Sequence, residues 1–97
     1  MVLTQALEQY EEALKIRRAL AKEHPATYLP DVAMTLINMS IFYLQSVPDK
    51  EKSVSLAIEV IKIGIEFQQI PIVQKYMETA IQILQANGVD LDELFKE

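Results

Sequence analysis

The sequence has no cysteine and no tryptophan, two glycines, four prolines and one histidine. Without cysteine there is no disulfide framework, no thiolate metal site and no cysteine nucleophile, while the redox compartment stays open. Two glycines provide neither a glycine-rich phosphate cradle nor a nucleophile elbow. So little glycine beside 51% hydrophobic residues also argues against intrinsic disorder. Cations are scarce as well: 9 Lys and Arg stand against 14 Asp and Glu, a net charge of −5. Dispersed cations do not make the patch that phosphate binding needs, so no nucleic acid is expected as partner. What is present, over 97 residues, suits a single small domain spanning 1–97. Such a domain buries roughly 60–70% of its unfolded surface.

The first residues, Met1-Val2-Leu3-Thr4-Gln5, place no basic stretch before an apolar run, so no secretory leader is expected and the cytoplasm is the expected location. Residues 32–48 carry no charge and sit at the lower limit of a bilayer span. They include Thr35, Asn38, Ser40, Gln45 and Ser46, however, and are bounded by Asp31 and Asp49. A helix buried in the domain is the better reading, with no membrane partner.

Apolar residues at Leu3, Ala6, Leu7, Tyr10, Ala13, Leu14, Leu20 and Ala21 recur at helical spacing and predict a helix over about 3–23. His24-Pro25 ends it, because the residue before proline is driven out of the α region. Pro30-Asp31 predicts a second start, for a helix over 31–46. Asp49 is the expected N-cap of a third helix over 50–69. That helix confines its polar residues, Lys52, Ser55, Glu59, Lys62 and Glu66, to one narrow stripe, so neighbours are expected on more than one side. Gly64 in its interior costs about 1 kcal/mol relative to alanine, which points to a close helix crossing or to a local kink. Val73, Tyr76, Met77, Ala80, Ile83 and Leu84 predict a fourth helix over 72–87, stopped at Asn87-Gly88. Asp90 with Glu93 predicts a short last helix over 91–96, docked through Leu91, Leu94 and Phe95. The expected fold is all-α: antiparallel hairpins of four helices plus a short C-terminal one.

Catalysis finds little support. His24 stands alone beside a proline, with Glu23 its only carboxylate neighbour within a turn, and reads as a solvated loop residue. Glu8, Glu11 and Glu12 read as a solvated face, since calcium and magnesium need oxygens converging on one point. Asp90, Asp92, Glu93 and Glu97 read as a capped, solvated helix end. Neither enzyme activity nor any cofactor or metal is expected.

The first helix carries Ala6, Tyr10, Ala13 and Leu14, and the second Leu36, Met39, Ser40 and Tyr43. These small–aromatic–small and large–large–small–aromatic patterns resemble the tetratricopeptide repeat family. The segment from Ala13 through His24-Pro25 to Leu36 resembles the longer-linker version of the repeat. The likeness covers residues 6–43 and then decays: Ser53, Ala57 and Val60 stand where Ala6, Tyr10 and Ala13 stand in the first copy. The resemblance implies hairpins stacked as a right-handed superhelix, ending in a degenerate repeat, with no enzymatic activity. It implies a scaffold or adaptor that binds a peptide or partner protein through the first helices of its hairpins. Carried over by position, the groove residues are Met34, Ile37, Asn38, Ile41 and Gln45, then Gln74, Met77, Glu78, Ile81 and Gln85. Gripping a C-terminal carboxylate would need Lys and Asn there; Asn38 alone fits, so chaperone tails are not the expected ligand.

In this reading the first helix is the second member of a hairpin whose first member is missing. Its face of Leu3, Ala6, Tyr10 and Ala13 is then half covered, and uncovered apolar surface favours association at roughly 25 cal/mol per Å². The chain is a piece of a longer array, pairs as a homodimer, or folds its first helix back. Ile37, Ile41, Met77 and Ile81 are correspondingly either an apolar groove, with adaptable methionines, or core covered by a neighbour. Two functions remain: an interaction module, or a self-associating structural unit with no separate ligand.

Overall fold

The computed structural model describes the backbone of residues 2–94 and the side chains of residues 5–94. The chain forms α1 (Val2–Glu23), α2 (Pro25–Ile41) continued by a π-helical turn (Phe42–Ser46), α3 (Lys50–Glu66), α4 (Pro71–Ala86) and α5 (Leu91–Leu94). Among the described residues there is no strand, and the all-helical expectation holds. Phe95, the end of the last expected helix and the Leu3 side chain lie outside the described residues.

Consecutive helices run antiparallel and pack as neighbours, α1 on α2, α2 on α3 and α3 on α4, and α2 also meets α4. The shortest molecular dimension, 20 Å, is two helix diameters of about 10 Å. α2 touches α1, α3 and α4, and α1 reaches α3 through Arg18 and Glu59, so α1 lies beside α3 and α2 beside α4 in two layers. Between the layers lies a core that includes Val32, Leu36, Ala57, Val60, Val73, Ala80 and Leu84. Full burial of each larger aliphatic side chain is worth about 1.5–3 kcal/mol.

The helix ends follow from local chemistry. Asp49 adopts an extended backbone and its carboxylate accepts the Lys52 N–H at 3.2 Å, capping α3. Pro71 opens α4 where its missing N–H costs nothing. At the other end Gly88 takes φ +76°, Val89 N–H reaches the Leu84 carbonyl at 3.0 Å, and Gly88 N–H reaches that of Gln85 at 2.9 Å. That is a Schellman stop, and only glycine holds the left-handed position without strain. Asp90 Oδ1 accepts the Asp92 and Glu93 N–H groups at 3.0 and 3.4 Å and starts α5. Leu91 and Leu94 pack against the core.

Two boundaries correct the sequence reading. The segment expected as a linker from His24 to Pro30 is helical: α2 begins at Pro25, and His24 alone separates it from α1. His24 does leave the α region (φ −135°, ψ 73°), as a residue before proline must. Leu29 also precedes a proline yet stays helical, because Tyr28 and Leu29 pack on the core and that contact outweighs the local preference. Pro30 sits inside α2, leaving the Ala26 carbonyl without its usual donor. The third helix ends at Glu66 rather than Gln69, since the extended Ile70 ahead of Pro71 needs a preceding turn. Gln74 compensates the shortened end by donating its amide N–H to the Gly64 carbonyl at 2.9 Å.

Gly64 marks a close helix crossing. A Cβ built there would stand 2.6 Å from Met77 Sδ and 3.0 Å from Met77 Cβ, so α4 lies directly against the bare backbone of α3. Gly64→Ala gains helix propensity but overpacks this contact. The expected outcome is a net loss of about 1–2 kcal/mol in urea unfolding. Met77→Ala in the Gly64→Ala background is expected to cost less than it does alone.

Candidate functional site

Two surfaces anticipated from sequence can be followed residue by residue. On α2, Asn38 is exposed, Met34 and Ile41 are half-buried, and Ile37 turns into the core at 6% exposure. On α4, Met77 and Ile81 are half-buried, and Met77 lies against Gly64. Around them Gln45, Glu78 and Gln85 face solvent, while the amide of Gln74 is engaged with the end of α3. The face thus keeps Met34, Asn38, Ile41 and Ile81 accessible and commits Ile37 and Met77 inward.

On α1, Ala6, Tyr10 and Ala13 are half-buried. The Tyr10 ring meets Phe42 edge-on, with centroids 6.0 Å apart and planes at 72°, so it covers α2. Among the described residues of α1 the exposed large apolar side chains are Ile16 (52%) and Leu20 (38%), one turn apart. Ile16 fell outside the stripe read from sequence, because it sits at the edge of that arc.

A further site has no counterpart in the sequence reading. The π-helical turn carries an extra residue, closed by Val47 N–H on the Phe42 carbonyl at 3.0 Å. It brings the adjacent aromatics Phe42 and Tyr43 both inside, edge to face at 5.5 Å. Tyr10, Phe42 and Tyr43 form an aromatic row from α1 across α2, and the Lys52 ammonium of α3 stands 5.2 Å above the Tyr43 ring. Beside this row, between α1 and α3, lies a cleft of about 430 Å³ lined by Glu11, Met39, Tyr43, Glu51, Lys52 and Leu56. Farther along the same furrow lies a second hollow of about 280 Å³, bounded by Arg18, Ala21, Leu29, Val32, Glu59 and Ile63. The Arg18 guanidinium grips the Glu59 carboxylate at its edge with two hydrogen bonds of 2.7 and 3.1 Å. Glu11 is exposed, as read from sequence, and it also lines this cleft opposite α3 residues too distant in sequence for any local pattern to join them.

Among the described residues no group of His, Asp and Glu converges as metal ligands. His24 is exposed at the α1–α2 corner, its ring 6.4 Å from that of Tyr28. No described helix is long and apolar enough to cross a membrane. Compared with protein-family models, with curated proteins and with solved structures, the chain gives no significant match.

If the aromatic row fastens α1, Tyr10→Ala uncovers Phe42 and loosens the N-terminal half of that helix. Hydrogen exchange is expected to accelerate about tenfold or more in residues 5–14, with α3 and α4 unchanged. Uniform acceleration throughout would assign Tyr10 to global stability instead.

Proposed function

We propose that this chain is a non-catalytic protein–protein interaction module, a scaffold or adaptor of tetratricopeptide-like architecture. Its partner protein or peptide docks on the common face of α2 and α4. The observation that carries the reading is the neighbour order: α2 packs on α1 and α3 and also meets α4. Stacked hairpins whose alternate helices lie side by side have that order, and the right-handed superhelical offset belongs to the same proposal. On this face Met34, Ile41 and Ile81 supply apolar contacts and Asn38 an exposed amide. That mixture suits an amphipathic helix or an extended segment. Docking on this face calls for no cofactor.

A second reading, self-association through α1, draws on the exposed Ile16 and Leu20 beside the half-buried Ala6 and Ala13. Small residues next to large ones let a second helix approach closely. Light scattering and partner capture separate the two readings. Ile41→Asp is expected to keep the mass and helical content of the wild type while abolishing capture of any protein the wild type retains. Leu20→Asp is expected to change neither. A wild-type dimer that Leu20→Asp splits would favour self-association, and one that Ile41→Asp splits would make the α2–α4 face a subunit contact.

A further inference from the structure

The larger cleft between α1 and α3 lies in the layer opposite the α2–α4 face, and its lining has a definite chemistry. Met39 and Leu56 provide apolar wall, and Tyr43 provides an aromatic face at the bottom. Tyr43 is 6% exposed, and its ring is the floor over which the Lys52 ammonium stands. Glu11 from one wall and Glu51 from the other bring two carboxylates against a single ammonium, that of Lys52. The protein already holds a cation over the Tyr43 ring with its own side chain, 5.2 Å from the centroid. A cation in that position is attracted by the negative π face. The volume of about 430 Å³ falls within the usual ~300–1,000 Å³ of small-ligand clefts.

We propose that this cleft is a binding site for an arginine side chain presented by a partner peptide between apolar residues. The guanidinium stacks on Tyr43 in place of the Lys52 ammonium, which swings out to solvent. Its planar fork, lying flat on the ring, points its N–H groups outward to the Glu11 and Glu51 carboxylates. The flanking apolar side chains lie on Met39 and Leu56. Arginine fits better than lysine because it stacks flat on an aromatic ring and offers five donors in a fixed fork. In this scheme Lys52 is a built-in competitor. Removing its charge therefore strengthens binding, whereas removing either carboxylate weakens it. General loosening of the fold would weaken binding in every variant.

The probe is the peptide acetyl-Leu-Arg-Leu-amide, compared with its citrulline analogue, titrated into the isotope-labelled full chain and followed by amide chemical shifts. One anchored side chain gives a dissociation constant on the order of millimolar. Shifts are expected at Tyr43, Ser55 and Leu56, with the neutral citrulline peptide about fivefold weaker or more. Lys52→Met, which keeps the stem and the Asp49 cap on the backbone N–H, is expected to tighten arginine binding about threefold. Glu51→Lys is expected to weaken it about tenfold, and Glu11→Gln checks the opposite wall if that variant unfolds. Ile41→Asp, on the other face, is expected to leave the titration unchanged, so loss of the α2–α4 reading does not touch this one. Equal binding of the arginine and citrulline peptides would overturn the proposal. So would weaker binding in Lys52→Met, or shifts confined to α2 and α4.

Discussion

Two serines, each donating to the other's main-chain carbonyl, set how closely α2 and α3 approach. Ser40 Oγ reaches the Ser53 carbonyl at 2.6 Å, Ser53 Oγ reaches that of Ser40 at 2.9 Å, and the two hydroxyls lie 3.3 Å apart. Both residues are fully buried. A carbonyl oxygen has a second lone pair, so each serine bond can be added without breaking the helical one. Asn87 draws in the end of α4, its amide donating to Ser53 Oγ at 3.1 Å and to the Ile83 carbonyl at 3.0 Å. Three helices thus meet at one polar knot, and a buried hydroxyl deprived of its partner there costs about 1–3 kcal/mol. The contact needs small side chains: both serines are 0% exposed, so anything larger at 40 or 53 would overpack the seam between α2 and α3.

The surface chemistry follows from that spacing. With α2 and α3 pressed together, α3 is walled in by α2 and α4, which is why its exposed side is narrow. Gly64 repeats the close approach at the opposite end of α3, against Met77. α1 is held differently, by Tyr10 on Phe42, by Arg17 donating to Thr35 and by Arg18 on Glu59. Those contacts leave room between α1 and α3, and the clefts open there. The layer of α1 and α3 is consequently grooved and charged, while that of α2 and α4 offers scattered apolar residues around Asn38. The two surfaces therefore differ in chemistry.

Much of the fold was legible where sequence and packing agree. The polar stripe of the third helix gave its neighbours on both sides, Gly64 gave the close crossing, and Asn87-Gly88 and Asp49 gave helix ends. What could not be read was decided by contacts distant in sequence. The rule against helix before proline applies at His24 and fails at Leu29, because only the second residue has core to pack against. Nothing local announces the π-helical turn except two adjacent aromatics that both end up buried. Ile37 and Ile41 look equivalent on a helical wheel, but α2 has neighbours in three directions and Ile37 faces into the core. The cleft was illegible for the simplest reason: Glu11 and Glu51 are brought together by parallel helices in different hairpins.

The measurement that bears most directly on this account is a double-mutant cycle at the serine knot, by urea unfolding of Ser40→Ala, Ser53→Ala and the double variant. If the knot fixes the α2–α3 approach, each single change costs about 1–3 kcal/mol and the pair costs little more than one alone. Strictly additive costs, or single losses within about 0.5 kcal/mol of zero, would contradict it and move the organising contact elsewhere in the core.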